Sequence, residues 1–274
     1  MKAVSEKKVV LSTDRVGVIF NEGEENEVEA VHDTSFELYE SETLAIVGPS
    51  GCGKSTLFNV IAGLLPPSSG AVYVHGIQVE NATGHVGYML QKDMLLPWRT
   101  VLDNVLLGLE VRGTNKAEAR ETAQRLIKSY GLASFENARP AELSGGMRQR
   151  VAFMRTLAID PEVILLDEPF SALDFQTRLQ LQADVMQIIR ERRKSVILVT
   201  HDIGEAITMG DRILVMTSRP GTVKSFHDIP LDDSQRNPVT VRALSTYNEL
   251  FATIWGELGI SIGDAHIDPT ADSP

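Results

Sequence analysis

The sequence is poor in several things, and each shortage removes a class of protein. It has one cysteine, Cys52, in 274 residues, so no disulfide can form within the chain and a reducing compartment suits it. Bases are scarce: 26 Lys and Arg stand against 37 Asp and Glu, a formal net charge of −11. So acidic a surface repels phosphate backbones and anionic lipid alike, which argues against nucleic acid as a partner. No unbroken apolar run exceeds four residues, whereas a membrane-crossing helix needs about 20. The first ten residues carry Lys2, Glu6, Lys7 and Lys8 and lack the apolar stretch of a signal peptide. The expectation is a soluble chain that reaches any membrane only through a partner.

What is present is an ordinary globular balance, 43% hydrophobic and 23% charged, enough for one large domain or two coupled ones. Apolar runs at Leu44 to Val47, Val163 to Leu166 and Val196 to Val199 are each followed by a helical pattern. Continuous apolar strands alternating with helices predict an α/β fold with a parallel sheet covered on both faces. Earlier, Val9 to Phe20 and Val28 to Leu38 read as strands of a hairpin around a solvated acidic tip of Glu22, Glu24, Glu25, Glu27 and Glu29. Between Leu90 and Leu143 the strand signal gives way to helices. Asn115 with Glu118 predicts an N-cap and its capping-box partner, and Ala119, Ala123, Leu126, Ile127 and Tyr130 follow at helical spacing. This predicts a helical subdomain inserted into the α/β core. A long helix is expected over Phe175 to Arg192, with Leu181, Val185, Ile188 and Ile189 facing inward. Beyond Pro230 the pattern weakens, to one or two helices in Val239 to Leu258 and a frayed tail from Asp264 to Pro274.

Directly after Leu44 to Val47 comes Gly48-Pro49-Ser50-Gly51-Cys52-Gly53-Lys54-Ser55-Thr56, which fits G-x-x-x-x-G-K-[ST] and precedes the helical pattern Leu57, Val60, Ile61, Leu64. Glycines let consecutive N–H groups curl toward one anion, and the helix start adds partial positive charge. Lys54 can neutralise the β- and γ-phosphates of a bound nucleotide and the Ser55 hydroxyl can ligate Mg²⁺. Cys52 has two readings: a small residue that fits the turn, or a thiol acidified by the helix start and reactive. A second strand, Val163 to Leu166, ends in Asp167-Glu168. Strand C-termini of a parallel sheet open onto the ligand crevice, so Asp167 is expected to hold the metal and Glu168 to polarise the attacking water.

The segment Leu143-Ser144-Gly145-Gly146-Met147-Arg148-Gln149-Arg150 resembles the signature of the ABC ATPases. Further elements then follow in the family's order. Gln91 resembles the Q-loop glutamine, Ser171-Ala172-Leu173-Asp174 the D-loop, His201 the switch histidine, and Phe20 is placed like the aromatic that stacks on adenine. The resemblance runs from about Val9 to Val223, about four-fifths of the chain. It implies a P-loop NTPase core with a mainly parallel sheet, an N-terminal antiparallel β subdomain and an inserted helical subdomain at about 92–158. These make an ATPase domain over 9–230 with a short extension at 231–274. It also implies ATP and Mg²⁺ as cofactors, with Ser55, Gln91 and Asp167 at the metal and Glu168, His201 and Gln91 at the reaction. Ser144 is a good N-cap, and Gly145 and Gly146 bare the first amides of their helix. In the family that second anion site grips the nucleotide of another subunit, so a second copy of the cassette is the expected partner, related by a two-fold axis.

Gln91-Lys92-Asp93-Met94-Leu95-Leu96-Pro97-Trp98-Arg99-Thr100-Val101, with Ser218-Arg219-Pro220-Gly221, resembles importers of the nitrate, sulfonate and taurine group, which includes systems for thiamine pyrimidine precursors. That implies integral membrane permease subunits, indirectly a solute-binding protein, and a place at the cytoplasmic face of the membrane. Leu95 to Trp98 form either the subdomain's core or a groove for a permease helix. Met147, Phe20 and Ser41 depart from the wider family's Gln, Tyr and Gly, and none of these removes a catalytic group. The alternative is a soluble ABC ATPase acting on nucleic acid or ribosomes. The 90 positions from Lys54 to Ser144 leave no room for the long coiled coil such proteins carry there.

Overall fold

The computed structural model describes residues 8–81, 84 and 86–259; the tail expected at 264–274, and the first seven residues, lie outside them. The chain opens with a long antiparallel pair, β1 (Val9–Phe20) and β2 (Val28–Tyr39), whose connection at 21–27 is exposed throughout, as its acids require. β4 (Ser69–Val74) and β5 (Ile77–Gln78) complete a four-stranded antiparallel sheet in the order β2-β1-β4-β5. The second sheet holds β3 (Thr43–Val47), β6 (Val86–Met89), β7 (Val163–Asp167), β8 (Ser195–Val199), β9 (Arg212–Met216) and β10 (Val223–Asp228). Its order is β10-β9-β3-β8-β7-β6, parallel except for the β10 edge. The fold is α/β, as the apolar runs predict.

Seven α-helices are described: α1 (Lys54–Ile61), α2 (Val101–Val111), α3 (Lys116–Ser129), α4 (Gly145–Ala158), α5 (Phe175–Glu191), α6 (Ile203–Met209) and α7 (Ser245–Leu258). Strand periodicity divides the core among them. Leu44, Ile46, Leu165, Ile197 and Val199 face α1 and the antiparallel sheet. Ile164, Leu166, Val196 and Leu198 face α4 and α5, in a cluster that runs on without a break into α2 and α3. Ala45, Val47, Ile213 and Val215 face α6 and α7, joined by Leu231, Val241, Tyr247 and Ile254 from beyond Pro230. The residues after Pro230 therefore share a core with the sheet.

Local signals explain the element ends. The reciprocal capping box is made at α2, where Thr100 Oγ1 accepts from Asp103 N–H and Asp103 Oδ2 accepts from Thr100 N–H. At α3 the Asn115 side chain caps Ala117 N–H, two residues on. Ser41 stands in the left-handed region at φ 59°. Its N–H donates to Ser195 Oγ and its hydroxyl to Arg193 O, bonds that offset the strain glycine would avoid. Leu181, Val185 and Ile189 of α5 are buried, with Met186 beside them and Ile188 only half-buried.

Candidate functional site

Strand order decides which residues meet. β3, β8, β7 and β6 are consecutive neighbours running the same way, so whatever follows their C-termini lies along one edge. The loop Gly48 to Gly53 follows β3, His201 follows β8, Asp167 ends β7 with Glu168 next, and Gln91 follows β6. Residues from four distant parts of the chain are thereby lined up.

The loop after β3 is held closely. Gly53 adopts φ 101°, and a Cβ there would come 2.5 Å from Ala30 O and 2.9 Å from Val31 Cγ2, so no other residue fits without displacing β2. Lys54 is buried, and its Nζ donates to Gly48 O (2.8 Å) and Pro49 O (2.9 Å), 3.6 Å from Cys52 Sγ. Cys52 is itself buried, at 1% exposure, beneath the loop. A cleft of about 320 Å³ opens above, lined by Ser50, Gly51, Gly53, Lys54, Ser55 and Thr56. Phe20, Val28 and Ala30 wall its other end, with Glu168 and Arg219 on the rim. Phe20 is 39% exposed, an aromatic face turned to solvent beside the phosphate loop.

Ser55 Oγ donates to Asp167 Oδ1 at 3.4 Å, and the Tyr88 hydroxyl donates to Asp167 Oδ2 at 3.3 Å. Burial raises the Asp167 carboxyl, a rise moderated by the Ser55 bond and supported by the charge of Glu168. A hydroxyl beside a carboxylate is an oxygen donor pair of the kind Mg²⁺ takes. Among the described residues no group of three or more His, Cys, Asp or Glu is arranged around a metal. A Mg²⁺ here would thus draw most of its ligands from phosphate and water.

Glu168 is the meeting point. Gln91 Nε2 donates to Glu168 Oε2 at 3.0 Å, and His201 Nδ1 lies 3.2 Å from the same oxygen. Its backbone is left-handed, φ 44°, a conformation costing on the order of 1–3 kcal/mol. It is fixed by its N–H to Val199 O (2.9 Å) and by Ser171, whose N–H and Oγ both donate to Glu168 O (3.2 and 3.0 Å).

The signature-like segment lies elsewhere. Ser144 caps α4, its Oγ accepting from Met147 N–H at 3.3 Å. Ser144 is exposed, Gly145 half-buried and Gly146 buried against Thr177 of α5. Asp174 caps α5 through Thr177 N–H at 3.0 Å, and the Thr177 side chain, then its N–H, hold the exposed Asp174 carboxyl below the ordinary range. None of Ser144, Gly145, Gly146 or Asp174 lines the cleft. Helix α4 does reach Gln91's loop: Arg148 Nε pairs with Asp93 Oδ2 at 3.1 Å, and Arg155 donates to Asp93 O and Met94 O, both at 2.7 Å.

Sequence reasoning missed Tyr88 and Arg219. Arg219 had a signal, the Ser218 to Gly221 segment. Gly221 donates its N–H to Ala30 O (3.0 Å), and a Cβ on it would collide with Cys52 O, so this segment is pressed against the phosphate loop. Of the apolar run after Gln91, Leu95 is buried, whereas Trp98 is 70% exposed and Met94 57%.

Comparison with known proteins gives one answer. Residues 31–171 match the ABC transporter family. The uncharacterized ABC transporter ATP-binding protein YtlC of Bacillus subtilis is 46% identical, over 84% of this chain and 88% of its own length. The taurine import ATP-binding protein TauB of Rhizobium johnstonii is 44% identical, over 80% of this chain and 84% of its own. Among solved structures, the dimeric post-hydrolysis state of the ATP-binding cassette MJ0796, bound to ADP and Pi, superposes with a TM-score of 0.71. It is 32% identical and covers 81% of this chain and all of that one.

Proposed function

The chain belongs to the ABC transporter family of ATP-binding cassettes and is an ATPase, and on that premise we propose that two copies of it power import of a small solute through membrane subunits. The observation that carries the reading is the convergence of Gln91 and His201 on one oxygen of Glu168, at the rim of a cleft floored by the phosphate loop. In this reading Phe20 stacks on adenine, the amides of Gly51 to Thr56 receive the phosphates, and Lys54 exchanges the carbonyls of Gly48 and Pro49 for the β- and γ-phosphates. Glu168 takes the proton of the attacking water, while Gln91 and His201 hold that carboxylate in line. Ser55, Asp167 and Gln91 would hold Mg²⁺, which neutralises charge between the β- and γ-phosphates when bound. Arg219 adds a cation at the cleft's rim.

Ser144, Gly145 and Gly146, which lie away from the chain's own cleft with Ser144 exposed, suit the nucleotide of a second copy, with Asp174 beside them. The MJ0796 cassette is dimeric, which supports this pairing. Shifting such a pair from 1:99 open to 99:1 closed takes about 5.5 kcal/mol of differential binding, within reach of two bridging nucleotides. The unit doing this is 9–230, with 92–158 as its helical part and 231–274 as an extension.

Import, rather than another use of the same engine, is supported by the TauB relatives and by the surface after Gln91. Buried Asn104 fixes that loop: its Oδ1 accepts from Leu96 N–H and its Nδ2 donates to the carbonyls of Leu96, Arg99 and Thr100. The rigid loop holds Trp98 and Met94 out to solvent, an anchor pair for a permease helix. No described helix is long and apolar enough to cross a membrane, so the proposed position is peripheral, at the cytoplasmic face. The solute is proposed only as a small molecule of the taurine, sulfonate, nitrate or pyrimidine-precursor kind. The test is purification with the cognate membrane subunits. Trp98→Ala is expected to abolish solute uptake in proteoliposomes and to leave the ATPase of the free cassette intact; equal loss of both would reject the docking role.

A further inference from the structure

The seam between α5 and α6 is polar where an apolar one would hold the helices as well. Arg178 and Gln182, one turn apart on α5, face Asp202 and Glu205 at the start of α6. Arg178 Nη1 lies 3.7 Å from Asp202 Oδ2, and Gln182 Nε2 donates to Glu205 Oε2 at 3.3 Å. The same guanidinium turns back to the chain before its own helix: Nη2 donates to Leu173 O at 3.1 Å. Leu173 precedes Asp174, and its Cδ2 packs 3.7 Å from where a Cβ on Gly145 would stand. Asp202 directly follows His201, and its Oδ1 caps α6 by accepting from Glu205 N–H at 3.1 Å. One side chain thus touches the turn beneath the signature-like glycines and the carboxylate beside the switch-like histidine.

We propose that Arg178 is a positioning residue that carries movement of the Ser171–Asp174 turn to His201 within one chain, so that closure against a second copy sets the histidine for hydrolysis. The inference rests on the reading of Glu168 and His201 above. The Arg178–Asp202 pair is only part-buried, at 28% and 31% side-chain exposure, and the polar atoms behind it are not fully bonded. Arg178 Nε and Glu205 Oε1 are both buried with no hydrogen-bond partner, features that need a reason in a native protein. A spare donor on one helix and a spare acceptor on the other give the seam a second pairing, reached by a small slide of α5 along α6. Burial, then the charge of Asp202, pushes the Glu205 carboxyl up to about 8, so near neutral pH it is an acid that re-pairs without carrying charge. From α7 the Tyr247 hydroxyl rests against Gly204, backing the start of α6 from its other side.

The test uses the full chain and four variants: Arg178→Ala, Arg178→Lys, Asp202→Asn and the Arg178→Ala/Asp202→Asn pair. Asparagine keeps the helix cap and removes only the charge. Arg178→Ala and Asp202→Asn are each expected to lower kcat about ten- to hundredfold and to bring the Hill coefficient for ATP toward 1. Binding of a fluorescent nucleotide to the isolated chain should stay unchanged. The double variant should be no worse than either single one, and Arg178→Lys, which keeps the charge but not the forked donors, should recover part of the cooperativity. Wild-type kcat and Hill coefficient in Asp202→Asn, or strictly additive losses in the double variant, would overturn the proposal; Asp202→Asn carries the test alone if Arg178→Ala fails to fold. Glu168→Gln serves as the control: hydrolysis at the wild-type rate there rejects the catalytic reading itself, whereas an inactive control with wild-type behaviour in Asp202→Asn rejects only the Arg178 link.

Discussion

Two helices of this chain begin beside glycines, and their surroundings differ. At α1 the glycine is locked: a Cβ on Gly53 would press on the backbone of β2, Lys54 is buried, and the loop faces a cleft shared with Phe20 and Glu168. At α4, Ser144 is exposed and Gly145 faces only Leu173 and Arg148, each more than 3.5 Å away. Both starts offer unpaired amides to an anion. One shares a cleft with the proposed catalytic carboxylate Glu168, and the residues of the other do not line that cleft. In the proposed reading the second start serves a nucleotide brought by another copy of the chain.

The strongest way to break it is to remove the chemistry from the first site. Glu168→Gln is expected to slow hydrolysis by about 10²–10⁴-fold while nucleotide still binds and the ATP-bound dimer accumulates in size-exclusion chromatography. If it turned over ATP normally, the two helix starts would no longer differ in the proposed way. Next, Ser144→Arg fills the exposed start. A loss of about 10²-fold in kcat is expected, with single-chain nucleotide affinity unaltered, and mixing it with Lys54→Ala chains should restore one working site per heterodimer. Failure of that mixture would place both helix starts on one nucleotide in one chain.

The contrast is sharpened further at the cleft's rim. Phe20→Ala and Arg219→Ala should each weaken ATP binding about three- to tenfold through KM, with kcat nearly unchanged, measured by titration and steady-state kinetics. The last effect concerns stability and not turnover. Glu205 ordinarily titrates near 4.5 but holds its proton to about 8 in the fold, raised by burial and then Asp202, against weaker lowering by Thr200, Arg178 and Gln182. Between those values the native state binds the extra proton, so stability falls as pH rises from 4.5 to 8 and levels off above. Glu205→Gln removes that dependence. Its thermal midpoint should exceed the wild type's at pH 8.5 and match it near pH 4.5, read by differential scanning fluorimetry.

How far the sequence reached depends on what each feature needs. The phosphate loop, the acids ending β7 and the helical run at Ala119 to Tyr130 depend on neighbours in the chain, and all were legible. The placing of β8 between β3 and β7 was not, because buried apolar strands look alike; yet that order alone brings His201 and Gln91 to Glu168. Leu95 and Trp98 show the same limit within one loop: both are apolar, and only the Asn104 anchor decides that one is core and the other surface. Tyr88 and Arg178 sit in no spacing pattern that chemistry demands. They act through partners 79 and 24 positions away, and sequence gives no measure of such approaches.

The ammonium of Lys54 already rests on two carbonyls of its own turn, and this bears on how ligand arrives. The turn carries an internal counterion, so accepting a triphosphate is a swap of bonding partners and not a refolding of the loop. Calorimetry should then find a heat-capacity change small for the size of the ligand, and stopped-flow association should run close to the encounter rate.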